Sequence, residues 1–377
     1  MCLPFSRPTL RRSDFLSHRK FPFHTDYLVI LQFGFESRLS GSIFVLSGEE
    51  LTLPQAEIKA LIETYSPSEK NEALSPRVVF STLDDSTLIE QIMQRAAYCR
   101  FGGRVLGSSD SLEALTEELT PASIDPGKTF VASSETLDRS LVGELGGAIK
   151  QKIKAKVSLE DPDYVFQAEK IEGGFVLGVS KTGFKKFSWR TRRPRARKFF
   201  LPSAIYPKLA CALVNLSRVK EGDIFLDPFC GTGSLLIESS RMNIQTIGSD
   251  LTRWIARGAL LNLKGLSLDF EGIVRCDATS QILPFSRVDG ISTDVPYGRA
   301  SSTRGKDTET IIREFSSAAG KVLTHNKGSK FCVIMHPSHV NFAYDGSAFE
   351  LVERHFIYVH RNLTRAISVL RRKPGEN

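Results

Sequence analysis

The stretch Phe225-Leu226-Asp227-Pro228-Phe229-Cys230-Gly231-Thr232-Gly233-Ser234 decides the fold of this chain. It predicts a strand over 224–229, a tight glycine turn and a helix that ends at Arg241. Strands and helices then alternate, with strands at 246–250, 272–277, 288–294 and 331–336 and helices at 254–263 and 308–323. Alternation of this kind predicts an α/β fold with a mostly parallel sheet and helices on both faces. Segments 349–359 and 366–372 flank a short turn and predict an antiparallel hairpin that closes a seven-stranded sheet.

The glycine turn predicts a ligand site. Gly231 and Gly233 let a ligand approach the backbone closely. The turn lacks the Gly-Lys-Ser/Thr of a P-loop, and Leu236 stands where a dinucleotide fingerprint needs its third glycine. Asp227, which precedes the glycines, would repel a pyrophosphate. It suits a ligand that carries an ammonium group, such as the amino-acid end of S-adenosylmethionine.

Four acids follow successive predicted strands. Asp250 stands 23 residues after Asp227, the spacing at which an acid accepts hydrogen bonds from ribose hydroxyls. Asp277 can take an adenine amine, and Asp294 ends the next strand. Each acid alone would serve as a helix cap or turn residue. Together they predict a ligand site at the carboxyl edge of the sheet, where ligands of such folds bind.

The stretch Thr293-Asp294-Val295-Pro296-Tyr297-Gly298 predicts a pocket for a planar group with an amine. Asp294 and the carbonyl of Val295 can accept hydrogen bonds from an exocyclic amine. Pro296 shapes the turn, and Tyr297 can stack on the ring that carries the amine. The same residues also make an ordinary turn after a strand. The interpretation as a binding pocket therefore depends on the three acids upstream. Its chemistry points to a nucleobase.

These motifs resemble the class I S-adenosylmethionine-dependent methyltransferases that methylate exocyclic amines of bases. Residues 197–204 and 207–210 look like the linker-to-catalytic junction of the archaeal tRNA guanosine-10 N2-methyltransferases. The resemblance implies a Rossmann-like catalytic domain, and it assigns catalysis to Asp294, Val295, Pro296 and Tyr297. For the cofactor it implies Ser203, Asp227, Phe229, Gly231, Gly233, Asp250, Leu251, Asp277, Ala278 and Asp294.

Two positions depart from the family pattern. Val295 stands where the family usually has proline, so the turn loses some rigidity but keeps the backbone carbonyl. Leu201 stands where the family often has histidine, which removes one polar contact near the cofactor site.

The resemblance also implies the domain order. It gives a basic disordered tail at 1–24, an α+β ferredoxin-like module at 25–120, a THUMP RNA-binding domain at 121–185, a basic linker at 186–200 and the methyltransferase domain at 201–377. Within the first two modules the pattern predicts strands at 27–33, 77–81, 101–106, 128–132, 164–169 and 174–180, and helices at 52–65, 87–97 and 140–156.

Charge and composition fit a polyanionic partner. The 377 residues carry a net charge of +8, and no apolar run approaches the roughly 20 residues that span a bilayer. The start of the chain lacks a secretory apolar region, which predicts a cytoplasmic protein. The linker cations follow two aromatic residues and predict contact with an RNA backbone, unless they only solvate a linker: Arg190, Arg192, Arg193, Arg195, Arg197 and Lys198. A second basic cluster lies in the tail, at Arg7, Arg11, Arg12, Arg19 and Lys20.

The six cysteines show no pairing pattern or zinc spacing, so we expect free thiols, no disulfide and no metal. The predicted function is methyl transfer from S-adenosylmethionine to N2 of a tRNA guanosine, at position 10, once or twice. Three alternatives stay open: another tRNA guanosine, such as position 6, or an rRNA guanosine; a DNA amino group; and RNA binding without catalysis. Eukaryotic relatives use a small activating protein, but we expect this chain to act alone, as archaeal relatives can.

Overall fold

Two sheets, one of eight strands and one of seven, form the framework of the chain in a computed structural model. The structure describes residues 39–50, 52–117, 119–182, 188–297, 305–323 and 330–374. The predicted tail and the strand predicted at 27–33 lie outside these residues.

The N-terminal half builds the eight-stranded sheet. Its strands are β1 (Ser42–Leu46), β2 (Asn71–Ser75), β3 (Val78–Ser81), β4 (Cys99–Ser109), β5 (Thr129–Ser133), β6 (Lys156–Val157), β7 (Tyr164–Ile171) and β8 (Gly174–Lys181). Its helices are α1 (Leu53–Tyr65), α2 (Ser86–Arg95), α3 (Leu112–Glu117) and α4 (Arg139–Ile153). The strand order is β2-β3-β1-β4-β8-β7-β5-β6. The segments predicted as ferredoxin-like and THUMP therefore share one continuous sheet, joined where β4 pairs with β8.

Several elements of this half differ from the sequence prediction, which gave no counterpart of β2, α3 or β6. The helix expected at 140–156 ends at Ile153, because Lys154 takes a left-handed conformation (φ 55°) and Lys156 starts β6. The pattern also gave no strand at β1. All five residues of β1 are buried between β3 and β4, so the strand lacks the alternation that marks a half-exposed one.

The C-terminal half builds the seven-stranded sheet. Its strands are β9 (Ile224–Asp227), β10 (Gln245–Asp250), β11 (Gly272–Arg275), β12 (Gly290–Asp294), β13 (Phe331–Pro337), β14 (Phe349–His360) and β15 (Leu363–Arg372). Its helices are α5 (Pro207–Leu216), α6 (Ser234–Arg241), α7 (Arg253–Gly265) and α8 (Thr308–Val322). The order is β11-β10-β9-β12-β13-β15-β14, and β15 alone runs against the other strands of this sheet. The predicted class I methyltransferase fold, with its closing hairpin, is confirmed.

Helices cover both faces of this sheet, as the alternation predicted. Helices α5, α6 and α7 pack on one face together with Phe225 and Val333. Helix α8 packs on the other face with Leu226 and Ile334. The side chains of neighbouring strand residues point to opposite faces of the sheet. Because helices cover both faces, the strands carry apolar side chains on both.

A buried polar cluster joins the two halves, where α1 packs against α5. Glu57 of α1 is fully buried and accepts hydrogen bonds from the backbone N–H groups of Ala97 and Tyr98 (2.9 and 2.8 Å) and from Asn215 Nδ2 (2.7 Å). Arg95 donates to Asn215 Oδ1 at 3.0 Å. Each carboxylate oxygen of Glu57 thus has a partner, as buried polar groups require. We call these residues the joint cluster.

Candidate active site

A cavity of about 550 Å³ opens at the carboxyl edge of the seven-stranded sheet. Twelve of the residues predicted for catalysis or cofactor binding line it: Ser203, Asp227, Phe229, Gly231, Asp250, Leu251, Asp277, Ala278, Asp294, Val295, Pro296 and Tyr297. Its size is that of a pocket for a drug-sized ligand. A cavity therefore lies at the sheet edge that the four acids predicted. It lies there because the parallel strands all end at this edge.

Gly233 is the exception among the predicted cofactor residues. It does not line the cavity, and its left-handed conformation (φ 80°) starts α6. A Cβ atom there would lie 3.2 Å from Leu263 Cδ1 and 3.3 Å from Ala259 Cβ, so glycine lets α6 approach α7. Gly231 (φ 52°) does line the cavity, and a Cβ atom there would meet the Phe229 carbonyl oxygen at 3.9 Å. Of the two glycines predicted to admit a ligand, Gly231 lines the cavity and Gly233 serves the packing of α6 on α7.

Asp227 ends β9 and is 1% exposed. Its Oδ1 accepts hydrogen bonds from Thr293 Oγ1 at 2.7 Å and from the Phe229 N–H at 3.3 Å. Burial, together with the charges of nearby Asp294 and Asp250, raises the pKa of Asp227 to about 7, although these two hydrogen bonds oppose the rise. A cationic group in the cavity would favour the ionised form of this acid.

Asp250 and Asp277 lie farther along the same edge. Asp250 ends β10 and accepts from the Thr252 N–H at 2.8 Å and the Gly231 N–H at 3.2 Å, while burial raises its pKa. Asp277 lies two residues beyond the end of β11, which stops at Arg275, and it accepts from the Thr279 N–H and hydroxyl. The four acids thus share an edge, although Asp277 stands in a loop rather than in a strand.

The two carboxylate oxygens of Asp294, the last residue of β12, differ in their contacts with the described residues. Its Oδ2 lies 3.6 Å from Arg365 Nη2 of β15. Its Oδ1 is buried and has no hydrogen-bond partner among the described residues. Burial raises the pKa of Asp294 to about 7, and Arg365 opposes that rise. A buried acceptor without a partner is costly, so this oxygen suits a donor on a ligand.

Arg365 also fixes the aromatic ring of the motif. Its Nε donates to Tyr297 Oη at 2.7 Å, and its guanidinium lies 5.8 Å from the centre of the Tyr297 ring. One arginine therefore orients both the acid and the ring.

Val295 holds the turn in a way that proline cannot. Its N–H donates to the Met335 carbonyl at 3.1 Å, which continues the pairing of β12 with β13 past Asp294. The side chain is 1% exposed and packs in the apolar cluster under α8. The rigidity lost with the usual proline is thus offset by one hydrogen bond and by packing.

Several cavity residues carried no sequence signal. They include Lys306, His360, Leu363 and Arg365. Lys306 Nζ donates to Thr279 Oγ1 (2.8 Å) and Glu314 Oε2 (2.6 Å), beside the Asp277 loop. Arg365 lies 68 residues after Tyr297, and only the return of the antiparallel hairpin brings the two together.

The linker cations divide into two groups, which corrects part of the RNA-binding prediction. Arg192 and Arg197 are 3% and 8% exposed. Arg192 makes two 2.9 Å bonds to Glu238 of α6, and Arg197 donates to Ser234 Oγ at 2.7 Å. Their guanidinium groups are used inside the protein and cannot reach a phosphate. The exposed members of the cluster are Arg190, Arg193, Arg195 and Lys198.

Three further findings concern metals, thiols and membranes. Among the described residues, no group of three or more His, Cys, Asp or Glu side chains could hold a metal ion. The five cysteines of the described residues form no disulfide: Cys99, Cys211, Cys230, Cys276 and Cys332. None of the helices in the described ranges has the length and apolar character that crossing a bilayer requires.

Comparison with known proteins identifies the family. The family model of the RMKL-like methyltransferase domain (UPF0020) matches residues 194–367. The chain is 32% identical to the tRNA (guanine(10)-N2)-dimethyltransferase of Methanothermobacter thermautotrophicus, over 87% of this chain and 98% of the relative. It is 30% identical to the enzyme of the same name from Methanocaldococcus jannaschii, over 87% and 99% of the two chains.

A shorter match covers less than half of this chain. The chain is 30% identical to the mouse U6 snRNA (guanine-N(2))-methyltransferase THUMPD2, over 45% of this chain and 31% of that protein. The long matches extend over nearly the whole of both archaeal relatives. The chain belongs to the tRNA (guanine(10)-N2)-dimethyltransferase family.

Proposed function

We propose that this protein transfers methyl groups from S-adenosylmethionine to N2 of guanosine 10 in tRNA. The observation that carries the proposal is the unpartnered Oδ1 of Asp294 at a cavity that also holds three other acids and a glycine turn. The names of the two archaeal relatives supply the substrate and the position. One or two methyl groups are added to the same nitrogen, as the dimethyltransferase name implies for those relatives.

The donor set of the cavity fits S-adenosylmethionine. Asp227 would face the amino-acid ammonium, Asp250 the ribose hydroxyls and Asp277 the adenine amine. Ser203, Phe229, Leu251 and Ala278 would enclose the cofactor, and Gly231 would let it approach the backbone. The cofactor, when bound, supplies the methyl as part of a sulfonium group.

Asp294 would orient the acceptor amine. The lone pair of a guanine amine is delocalised into the ring, so the amine is a poor nucleophile and must be held in line with the methyl group. A hydrogen bond to Oδ1 of the ionised carboxylate favours the pyramidal amine and stabilises the positive charge that develops on it. With a pKa of about 7, the carboxylate can also receive the proton that the amine loses.

Arg365 would position this acid. By holding Oδ2 at 3.6 Å it directs the free oxygen to the substrate, and its charge favours the ionised carboxylate. Its bond to Tyr297 fixes the ring on which the guanine would stack, a contact of roughly 1–3 kcal/mol. Val295 would offer its carbonyl to the amine, and Pro296 would set the direction of the turn. The base must leave its helix to reach this site.

The N-terminal half would select the tRNA. We infer ferredoxin-like and THUMP modules at 25–120 and 121–185, a linker at 186–200 and a catalytic domain at 201–377. Arg190, Arg193, Arg195 and Lys198 would bind phosphates. We also infer a cytoplasmic enzyme that acts without a metal and without an activating subunit.

The test is incubation with labelled S-adenosylmethionine and, in separate reactions, an unmodified tRNA transcript, rRNA or DNA, followed by mapping of the labelled nucleotide. Label on N2 of guanosine 10 is expected. Label at position 6 or on rRNA would reveal a sister specificity, and label on DNA would reveal a DNA methyltransferase. Failure to bind the cofactor would favour an RNA-binding protein without catalysis.

A further inference from the structure

The outer face of α7 is a cationic surface with an exposed aromatic ring. Trp254 is 57% exposed and Leu261 is 54% exposed, and three basic residues stand on the same helix. The helix contains no acidic residue. We define the α7 surface as Lys198, Arg253, Trp254, Arg257, Leu261 and Lys264.

The linker packs along α7, and this packing places Lys198 of the linker on the same surface as the basic residues of the helix. The Phe199 N–H donates to Asn262 Oδ1, and Asn262 Nδ2 donates to the Phe199 carbonyl, both at 2.8 Å. A Cβ atom at Gly258 would lie 2.1 Å from the Phe199 ring, and one at Gly265 would lie 2.9 Å from Cδ of Lys198. The two glycines thus let the linker lie against α7, with the stem of Lys198 beside Gly265.

The α7 surface begins at the mouth of the cavity. Leu251, Thr252 and Ile255, which precede or start α7, line the cavity. Trp254 lies in the chain between the cavity-lining Thr252 and Ile255, and it contacts the Phe199 ring edge to face, with centres 5.6 Å apart. An exposed tryptophan held in place next to a site for a base is a platform for a second base.

The cations of this surface have no ion-pair partner among the described residues. By contrast, α8 on the other face of the sheet mixes both signs, with Glu309, Arg313 and Glu314 in one stretch. A face without acids next to a cavity for a nucleobase is complementary to a phosphate backbone.

We propose that the α7 surface binds the RNA strand that carries the target nucleotide, with Trp254 stacked on a neighbouring base and the cations on phosphates. This inference rests on the proposed function and extends it, because it identifies how the nucleotides flanking the target are held. It also assigns Lys198 of the linker and α7 to one surface.

The experiment measures the affinity for an unmodified tRNA transcript over a series of salt concentrations. Trp254→Ala is expected to raise Kd on the order of tenfold with an unchanged salt slope, because stacking releases no counterions. Trp254→Phe should restore most of the affinity. The double variant Arg253→Gln with Arg257→Gln should reduce the salt slope by about 1.5, since each lost phosphate contact removes about 0.7–0.9. Arg313→Gln, an exposed arginine on α8, is the matched control and should change neither quantity.

The outcomes separate this inference from the proposed function. If the unchanged protein methylates tRNA but the α7 variants behave like Arg313→Gln, the α7 surface does not bind RNA. That result would also be expected if the surface received a protein partner. If the unchanged protein transfers no methyl to tRNA, the proposed function itself is wrong. Unchanged cofactor affinity in each variant shows that the cavity is intact.

Discussion

Two buried acids of this protein, Glu57 in the joint cluster and Asp294 at the cavity, differ in how completely they are bonded. Glu57 accepts three hydrogen bonds within the protein, and both of its oxygens have partners. Asp294 has an arginine at one oxygen and no described partner at the other. Burial raises the pKa of both. A buried acid that is fully bonded holds the fold, whereas one that is half bonded is available to a ligand.

The largest expected effect separates the two acids by activity. Asp294→Ala should lower single-turnover methylation of tRNA on the order of a hundredfold or more, because the amine loses its acceptor and its charge stabilisation. Its affinity for S-adenosylmethionine should change little. Glu57→Gln, measured at a temperature where it is folded, should keep most of the activity. Equal losses in the two variants would contradict the distinction.

Substitution of the two acids by their amides should change the free energy of unfolding in opposite directions. Glu57→Gln places an amide group against backbone N–H donors, so urea denaturation should show a loss of about 2–3 kcal/mol. Asp294→Asn removes a carboxylate whose pKa is raised on folding. Such a group binds protons more tightly in the folded chain, so stability falls as pH rises from about 4 to about 7. At pH 8, Asp294→Asn should therefore be more stable than the unchanged protein, on the order of 1 kcal/mol.

The linker offers the same comparison within one cluster of cations. Arg192→Ala leaves Glu238 buried and unpaired, and should cost about 3–5 kcal/mol of stability. Arg193→Ala, at an exposed position next to it, should leave stability unchanged and weaken tRNA binding with a reduced salt slope. Denaturation and binding measured on the same two samples check both statements. A stable Arg192→Ala protein with weakened RNA binding would restore the original prediction for Arg192.

A smaller effect concerns the pH profile. Arg365→Gln removes the charge that lowers the pKa of Asp294, so the acidic limb of kcat/KM should move to higher pH by about one unit. Activity depends on the ionised carboxylate, so it is lost as pH falls through this pKa. Arg365→Lys should restore part of the shift but not the bond to Tyr297. If Arg365→Gln lowers kcat/KM equally at every pH and does not shift the acidic limb of the profile, Arg365 has only a structural role.

The smallest effect is expected at Val295. Val295→Pro introduces the usual family residue but removes the N–H bond to Met335, so stability should fall by about 1 kcal/mol. Turnover should change by less than about threefold, because the carbonyl at this position is kept. A gain in both stability and turnover would show that valine at position 295 supports the turn less well than proline.

Sequence predicted the parts of this site that follow from local pattern. Asp227, Asp250 and Asp294 end strands that the sequence pattern predicts. Because the strands are parallel, their carboxyl ends lie at the same edge of the sheet. Arg365 was missed because its position depends on the return of a hairpin rather than on any motif. Arg192 was misassigned because a run of cations does not reveal which member meets a buried acid such as Glu238. Tertiary contacts decide such cases, and local pattern does not encode them.

The central claim is that the free oxygen of Asp294 receives N2 of guanosine 10. The most direct test compares two tRNA transcripts that differ only at position 10, one with guanosine and one with inosine, which lacks the exocyclic amine. The account predicts methyl transfer to the guanosine transcript, with label on nucleotide 10, and none to the inosine transcript. Equal labelling of both transcripts would contradict it.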